Sequence, residues 1–212
     1  MRITVFGATG GIGGHVVRQA LDAGHKVTAV VRTSSTFEVE HPSLDVVRVP
    51  GLDAEEPLRE AMDGSTAVIS AVGARGRKDG PVASSSTRSI LAAMKASGVR
   101  RFVAVSAAPL GPVPPDESFL NRRVVYPMIN AFAADVYADL RLMEAEIMSS
   151  GLDWRIVRPP KLNNKRLTGH YRTFVGGTVP KGYLVSRADV AHLMLAVIDD
   201  PATVGQPVGV AY

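Results

Sequence analysis

The stretch MRITVFGATGGIGGHVV, residues 1–17, decides how the rest of the chain is read. A strand-length run, RITVF at 2–6, stops at Gly7; Gly10, Gly11, Gly13 and Gly14 follow closely, and an apolar pattern then resumes. A strand, a glycine-rich turn and a helix together make a phosphate-binding arrangement. The helix N-terminus presents unpaired N–H groups and a partial positive charge, and glycines let the backbone approach a diphosphate with no Cβ in the way. The spacing is G-x-x-G-x-x-G at Gly7, Gly10 and Gly13, with Gly11 and Gly14 as extras. A flexible joint between a strand and a helix would look similar, so the weight falls on the surrounding pattern.

Outward from that stretch, apolar runs alternate with helical patterns. KVTAVV (26–31), LDVVRV (44–49), TAVISAV (66–72), RRFVAVSA (100–107), DWRIVRP (153–159) and PVGVAY (207–212) read as strands. Helices are predicted over 11–23, ended by Gly24; over 54–62, capped by Asp53; over 84–98, with serine caps; over 125–150; and over 187–200. Such alternation predicts an α/β Rossmann-type doubly wound parallel sheet with helices on both faces, as one domain spanning 1–212. Two segments break the rhythm: the proline-rich loop within 107–125 and the glycine-punctuated segment 161–185, which reads as a small hairpin region. Both follow strand C-termini, where open parallel sheets bind ligands, so both are expected on the substrate side.

Composition narrows the classes. The 212 residues are 46% hydrophobic and 21% charged, as in an ordinary globular protein. No cysteine is present, which removes disulfides and thiolate metal sites and points to a reducing, cytoplasmic setting. The apolar pattern beginning at Ile3 is too short for a secretory leader, and nothing approaches the ~20-residue run of a membrane span. A net charge of +4 could suggest nucleic acid, but the basic residues form small scattered groups and aromatics are only 6%. A small phosphorylated anion fits so mild an excess better. His15, His25, His41 and His192 share no ligand spacing, so no metal site is expected. Trp154, Met143 and Met194 read as core.

The end of the second strand identifies the nucleotide. An NAD-preferring site usually places a carboxylate there to bind the adenosine ribose. This chain has Arg32, followed by Thr33, Ser34 and Ser35. A guanidinium with neighbouring hydroxyls suits a 2′-phosphate, so NADP(H) is the expected cofactor.

Six segments together resemble one family: VFGATGGIGGHVV (5–17), VVRTSS (30–35), AAMKASGVRRFVAVSA (92–107), SGLDWRIVRPP (150–160), LTGHYR (167–172) and VSRADVAHLMLAVIDDPATVGQPV (185–208). The chain resembles the atypical short-chain dehydrogenase/reductases, in the single-domain NAD(P)H-binding branch similar to biliverdin IXβ reductase, or flavin reductase. The resemblance implies NADPH as cofactor and hydride transfer to a conjugated acceptor such as a flavin, quinone or tetrapyrrole. It places Gly7, Thr9, Gly10, Gly11, Ile12 and Gly13 at the diphosphate, and Arg32 with Ser34 or Ser35 at the 2′-phosphate. Gly73 and Arg75 would follow the ribose and phosphate, while Ser106 and the Arg158–Pro159–Pro160 turn would flank the nicotinamide. Two departures are visible: Gly51-Leu52-Asp53 stands where the family often has Gly-Asp, and Lys161 where the flavin reductase has a histidine.

The usual acid of short-chain dehydrogenases, a tyrosine with lysine four residues later, is absent: Tyr126, Tyr137, Tyr171 and Tyr183 are followed at that distance by Asn130, Arg141, Val175 and Arg187. A ketone needs a proton delivered with the hydride, whereas a conjugated acceptor spreads the incoming charge and can take its proton from solvent. Ser106 and Lys161 are therefore the candidate catalytic residues, and His170 with Tyr171 could form part of the substrate wall. The expected partner is a small conjugated molecule, with neither nucleic acid nor membrane, on a monomer or weak homodimer. The other reading consistent with these residues is an NADP(H)-binding redox sensor without turnover; a sugar-nucleotide epimerase is disfavoured by the missing tyrosine–lysine pair.

Overall fold

The computed structural model describes residues 1–74, 80–112, 123 and 133–212. Runs rich in Val, Ile and Phe, buried on both faces, make the central strands: β1 (Arg2–Phe6), β2 (Lys26–Arg32), β4 (Ala67–Ser70), β5 (Arg101–Val105) and β6 (Asp153–Arg158). Strand β3 (Leu44–Val49) lies at one edge and is largely exposed. Strand β10 (Gln206–Ala211) pairs parallel with β6, and β8 (Arg172–Val175) pairs antiparallel with β10. Among the described residues the sheet has eight strands in the order β3-β2-β1-β4-β5-β6-β10-β8. Strand order reverses between β1 and β4, which opens a crevice above their C-terminal ends, the usual ligand position of such sheets.

Helices cover both faces, as the sequence predicts. Helices α1 (Gly11–Asp22) and α5 (Arg187–Ala196) pack on one side around Val16, Val17, Val190 and Met194. Helices α2 (Glu55–Ala61), α3 (Val82–Ser97) and α4 (Ala134–Met148) pack on the other around Phe6, Leu58, Ile90, Phe102 and Ile147. Each such side chain, fully buried, contributes about 1.5–3 kcal/mol, which locks the strand ends that carry the crevice. Met143 and Met194 are core residues, and Trp154 packs against that core.

Three sequence expectations are corrected. Asp53 does not cap α2: its N-cap is Ala54, without a side-chain hydrogen bond. Helix α3 starts earlier than expected and carries no serine cap. Instead the buried Asp139 of α4 accepts from the N–H groups of Ala83 and Ser84 at 2.8 and 2.9 Å. The cap comes from a distant segment, so local patterning could not reveal it. The region 161–185 is not a hairpin. β7 (Lys161–Asn163) pairs parallel with β9 (Leu184–Ser186), and β8 between them joins the main sheet instead. The predicted helix over 125–150 is α4 in its described part; 125–132 lies outside the described residues.

Candidate functional site

The glycine turn is built by close approaches. Gly7 adopts φ +75°, and a Cβ on it would stand 2.6 Å from the Ala71 carbonyl oxygen. A Cβ on Gly13 would fall onto the Gly7 carbonyl. Gly13 itself is buried, so it seats α1 against the turn, while Gly7, Thr9, Gly10, Gly11 and Ile12 line the crevice. The turn is closed by Gly10 N–H donating to the Gly7 carbonyl at 2.9 Å. The N-cap of α1, Gly10, supplies no side-chain acceptor and the first turn holds no acid. A helix N-terminus in that state has N–H groups to offer an anion.

From this turn a cleft of about 1030 Å³ extends in two directions. One end is bounded by Arg32, Gly51, Leu52 and Asp53, and the other by Ser106, Pro159 and Leu162. Gly73 and Ala74 line the middle; Arg75 lies outside the described residues. Arg32 is exposed at the rim, and none of the ion pairs among the described residues includes it. Ser34 and Ser35 follow in a turn beyond the lining residues, with Ser35 N–H donating to the Arg32 carbonyl at 2.9 Å. Arg48, which nothing in the sequence singles out, donates to the Ser35 carbonyl at 3.1 Å. It arrives there because β3 pairs Arg48 with Val31, a register invisible in the sequence.

At the far end, Ser106 follows β5. Its N–H donates to the Val157 carbonyl at 2.8 Å, while its buried Oγ has no partner among the described residues. Buried hydroxyls are normally paired, and this one, on a residue that lines the cleft, is left with bonding capacity to offer a ligand group. Pro159 lines the cleft beside it, but Arg158 turns inward. Its Nε and Nη2 donate to Glu144 of α4 at 2.9 and 2.6 Å, and both residues are buried. Of the expected Arg158–Pro159–Pro160 turn, then, Pro159 faces the ligand space, and Arg158 anchors the turn to α4. Lys161 is exposed and stands beside the lining residue Leu162 without lining the cleft itself.

The LTGHYR segment has a structural task. Asp189 of α5 accepts from Thr168 N–H and Gly169 N–H, both at 2.9 Å, from Ser186 Oγ at 2.7 Å and from the Tyr212 hydroxyl at 2.6 Å. Burial alone would raise its pKa, but these donors prevail and hold it at about 2. Tyr171 stacks edge-on to His192 and shares a 2.6 Å hydrogen bond with its Nδ1. Burial, then the Asp189 charge, raises the Tyr171 hydroxyl to about 12. Tyr171 and the exposed His170 stand outside the cleft lining, which corrects their expected place in the substrate wall. Tyr137, its pKa raised by burial, also stands outside the lining, although Val136, Asp139 and Leu140 of α4 belong to it. No group of three metal-ligating side chains occurs among the described residues, and no helix there is long and apolar enough to cross a membrane.

Comparison with known proteins agrees with this geometry. Residues 7–201 match a family described as NAD(P)H-binding. An uncharacterised chloroplastic protein of Arabidopsis thaliana is 34% identical over an alignment of 182 residues that covers 80% of this chain; the chain spans 62% of that protein's length. Among solved structures, a wide-type short-chain dehydrogenase/reductase from Veillonella parvula in complex with NADP superimposes with a TM-score of 0.82 at 20% identity, covering 100% of this chain and 94% of that one. ChuY from Escherichia coli O157:H7, described as an anaerobillin reductase, gives 0.77 at 21% identity, covering 100% and 97%. These likenesses establish the Rossmann-type fold.

Proposed function

The chain belongs to the NAD(P)H-binding family, and from that premise we propose that it is an NADP(H)-dependent reductase acting on a flat conjugated acceptor: a flavin, a quinone-like compound or a tetrapyrrole. The observation that carries this reading is the unpartnered Ser106 hydroxyl, at the opposite end of the cleft from Arg32 with the bare glycine turn between them. Bound there, NADPH would supply the hydride. The amides of the turn and the N-terminus of α1 would hold its diphosphate, and Arg32 its 2′-phosphate, with Arg48 close by. Gly73 would follow the ribose. Ser106 would give its hydroxyl to the nicotinamide end or to the acceptor, and Pro159 would offer a flat apolar wall.

A delocalised acceptor suits a chain with no Tyr-x-x-x-Lys sequence, because the protein need only hold two planar systems face to face and exclude water between them. Lys161, exposed beside the lining residue Leu162 though not itself in the lining, would attract an anionic acceptor by its charge. The Veillonella complex with NADP supports the cofactor, and the reductase ChuY supports the reaction class. We further propose that the protein works in the cytoplasm as a monomer or weak homodimer, with no nucleic-acid or membrane partner.

Loss of NADPH absorbance in the presence of FMN, a quinone or biliverdin tests the proposal. Rapid, saturable oxidation with one of them supports it. Tight NADPH binding with no turnover on any would instead favour a nucleotide-binding redox sensor.

A further inference from the structure

We propose that Arg187 is a second cation of the nucleotide site, reaching from α5 to the diphosphate at the start of α1; this inference rests on the NADP(H) reading above and extends it to the other half of the chain. Arg187 is the first residue of α5 and lines the cleft. Its side chain lies across the first turn of α1, where a Cβ on Gly11 would stand 2.7 Å from Arg187 Cδ and 2.9 Å from Nε. The Gly7–Gly10–Gly13 spacing does not require Gly11. Its lack of a side chain makes room for the arginine.

The guanidinium is oriented by a neutral partner, with Nη1 donating to Asn164 Oδ1 at 2.7 Å. None of the six ion pairs among the described residues includes it. The acid nearest to it along its own helix, Asp189, already accepts from Ser186, Thr168, Gly169 and Tyr212. A cation beside a helix N-terminus is an unfavourable pairing, because the helix end carries positive potential too. The arrangement becomes favourable when an anion lies against both. A diphosphate does so, and a planar guanidinium with several donors left over matches its oxygens. Burial, then Arg18 and Arg187, lowers the pKa of His15 one turn along α1, in keeping with a positive potential there. Because Asn164 follows β7, the same contact ties nucleotide binding to the substrate-side segment 161–169.

The test is calorimetric titration of the wild type, Arg187→Gln and Gly11→Ala with two ligands: NADPH, and adenosine 2′-monophosphate, which lacks the diphosphate. Arg187→Gln should lose about 10- to 100-fold in NADPH affinity, the scale of a hydrogen bond to a charged group, and change adenosine 2′-monophosphate affinity by less than about 2-fold. Gly11→Ala should displace the guanidinium and give the same selective loss, and the double variant should lose little more than either alone. Should Arg187→Gln not fold, Gly11→Ala and Arg187→Lys carry the test, with lysine expected to recover part of the affinity. Unchanged NADPH affinity, or a parallel loss for both ligands, overturns the role. A wild-type protein that binds neither ligand defeats the NADP(H) reading itself, a result distinct from either of these.

Discussion

Replacing Ser106 with alanine separates a ligand-binding serine from a structural one. Ser106 is 9% exposed, its backbone is fixed by the bond to Val157, and its Oγ satisfies nothing among the described residues. A hydroxyl that stabilises a strand end through its own hydrogen bond would cost about 1–3 kcal/mol on removal. Here no such bond is lost, and a buried polar group without a partner disappears. The ligand-free Ser106→Ala protein should therefore be as stable as the wild type or up to about 1 kcal/mol more stable. For a domain of this length that is a rise of roughly 0–4 °C in melting temperature. Reduction of the acceptor should move the other way, falling by about 10- to 100-fold if the hydroxyl orients the nicotinamide end, the scale of a misplaced reacting group. Thermal unfolding without nucleotide and steady-state kinetics with it supply the two readouts. Destabilisation by more than about 1 kcal/mol together with unchanged kcat would refute the reasoning, because both results belong to a structural serine.

Arg32→Asp should weaken NADPH binding by about 2 kcal/mol or more, through loss of a charged hydrogen bond plus repulsion, and leave NADH binding much less affected. Equal weakening of the two nucleotides, measured by titration, would remove the 2′-phosphate role. Asp189 supplies a pH prediction. Its folded value of about 2 lies below the usual ~3.9 of an unfolded aspartate, so its stabilisation is complete above pH ~4 and lost as pH falls through ~2. That contribution is about 2–3 kcal/mol. Urea midpoints of the wild type and Asp189→Asn should differ near neutrality and converge towards pH 2. A gap that stays constant with pH would show that the charge contributes nothing.

The sequence displays the sheet because its central strands are buried on both faces and so read as nearly continuous apolar runs, VTAVV at 27–31 and AVIS at 67–70 among them. The glycine turn is legible because the positive φ of Gly7 and the close contacts at Gly7 and Gly13 leave few other residues a place there. Segment 161–185 differs from the expected hairpin because pairing between β7 and β9 spans some twenty positions, and the sequence carries no mark for a parallel partner at that distance. His170 and Tyr171 read as part of a substrate wall because polar residues in a loop suggest solvent or ligand. Tyr171 is instead hydrogen-bonded to His192, and the Thr168 and Gly169 amides before it donate to Asp189 of the following helix. Nothing in the sequence singles out Arg187, the first residue of the helix predicted over 187–200. Only the packing of α5 against α1 brings it over Gly11.

Helix packing also limits the proposed anion site to one of the two helix ends that open on the cleft. Helices α1 and α3 both start at the cleft, and each end would attract a phosphate if left open. At α3 the position is taken: Asp139 reaches from α4 and occupies the Ala83 and Ser84 amides, so a second negative group there would meet a carboxylate. At α1 the N-cap is a glycine, no acid stands in the first turn, and Arg187 lies across it. A dinucleotide bound as proposed would thereby be given one register, with its diphosphate at α1, and Arg32 and Ser106, on opposite sides of that point, would receive its two ends.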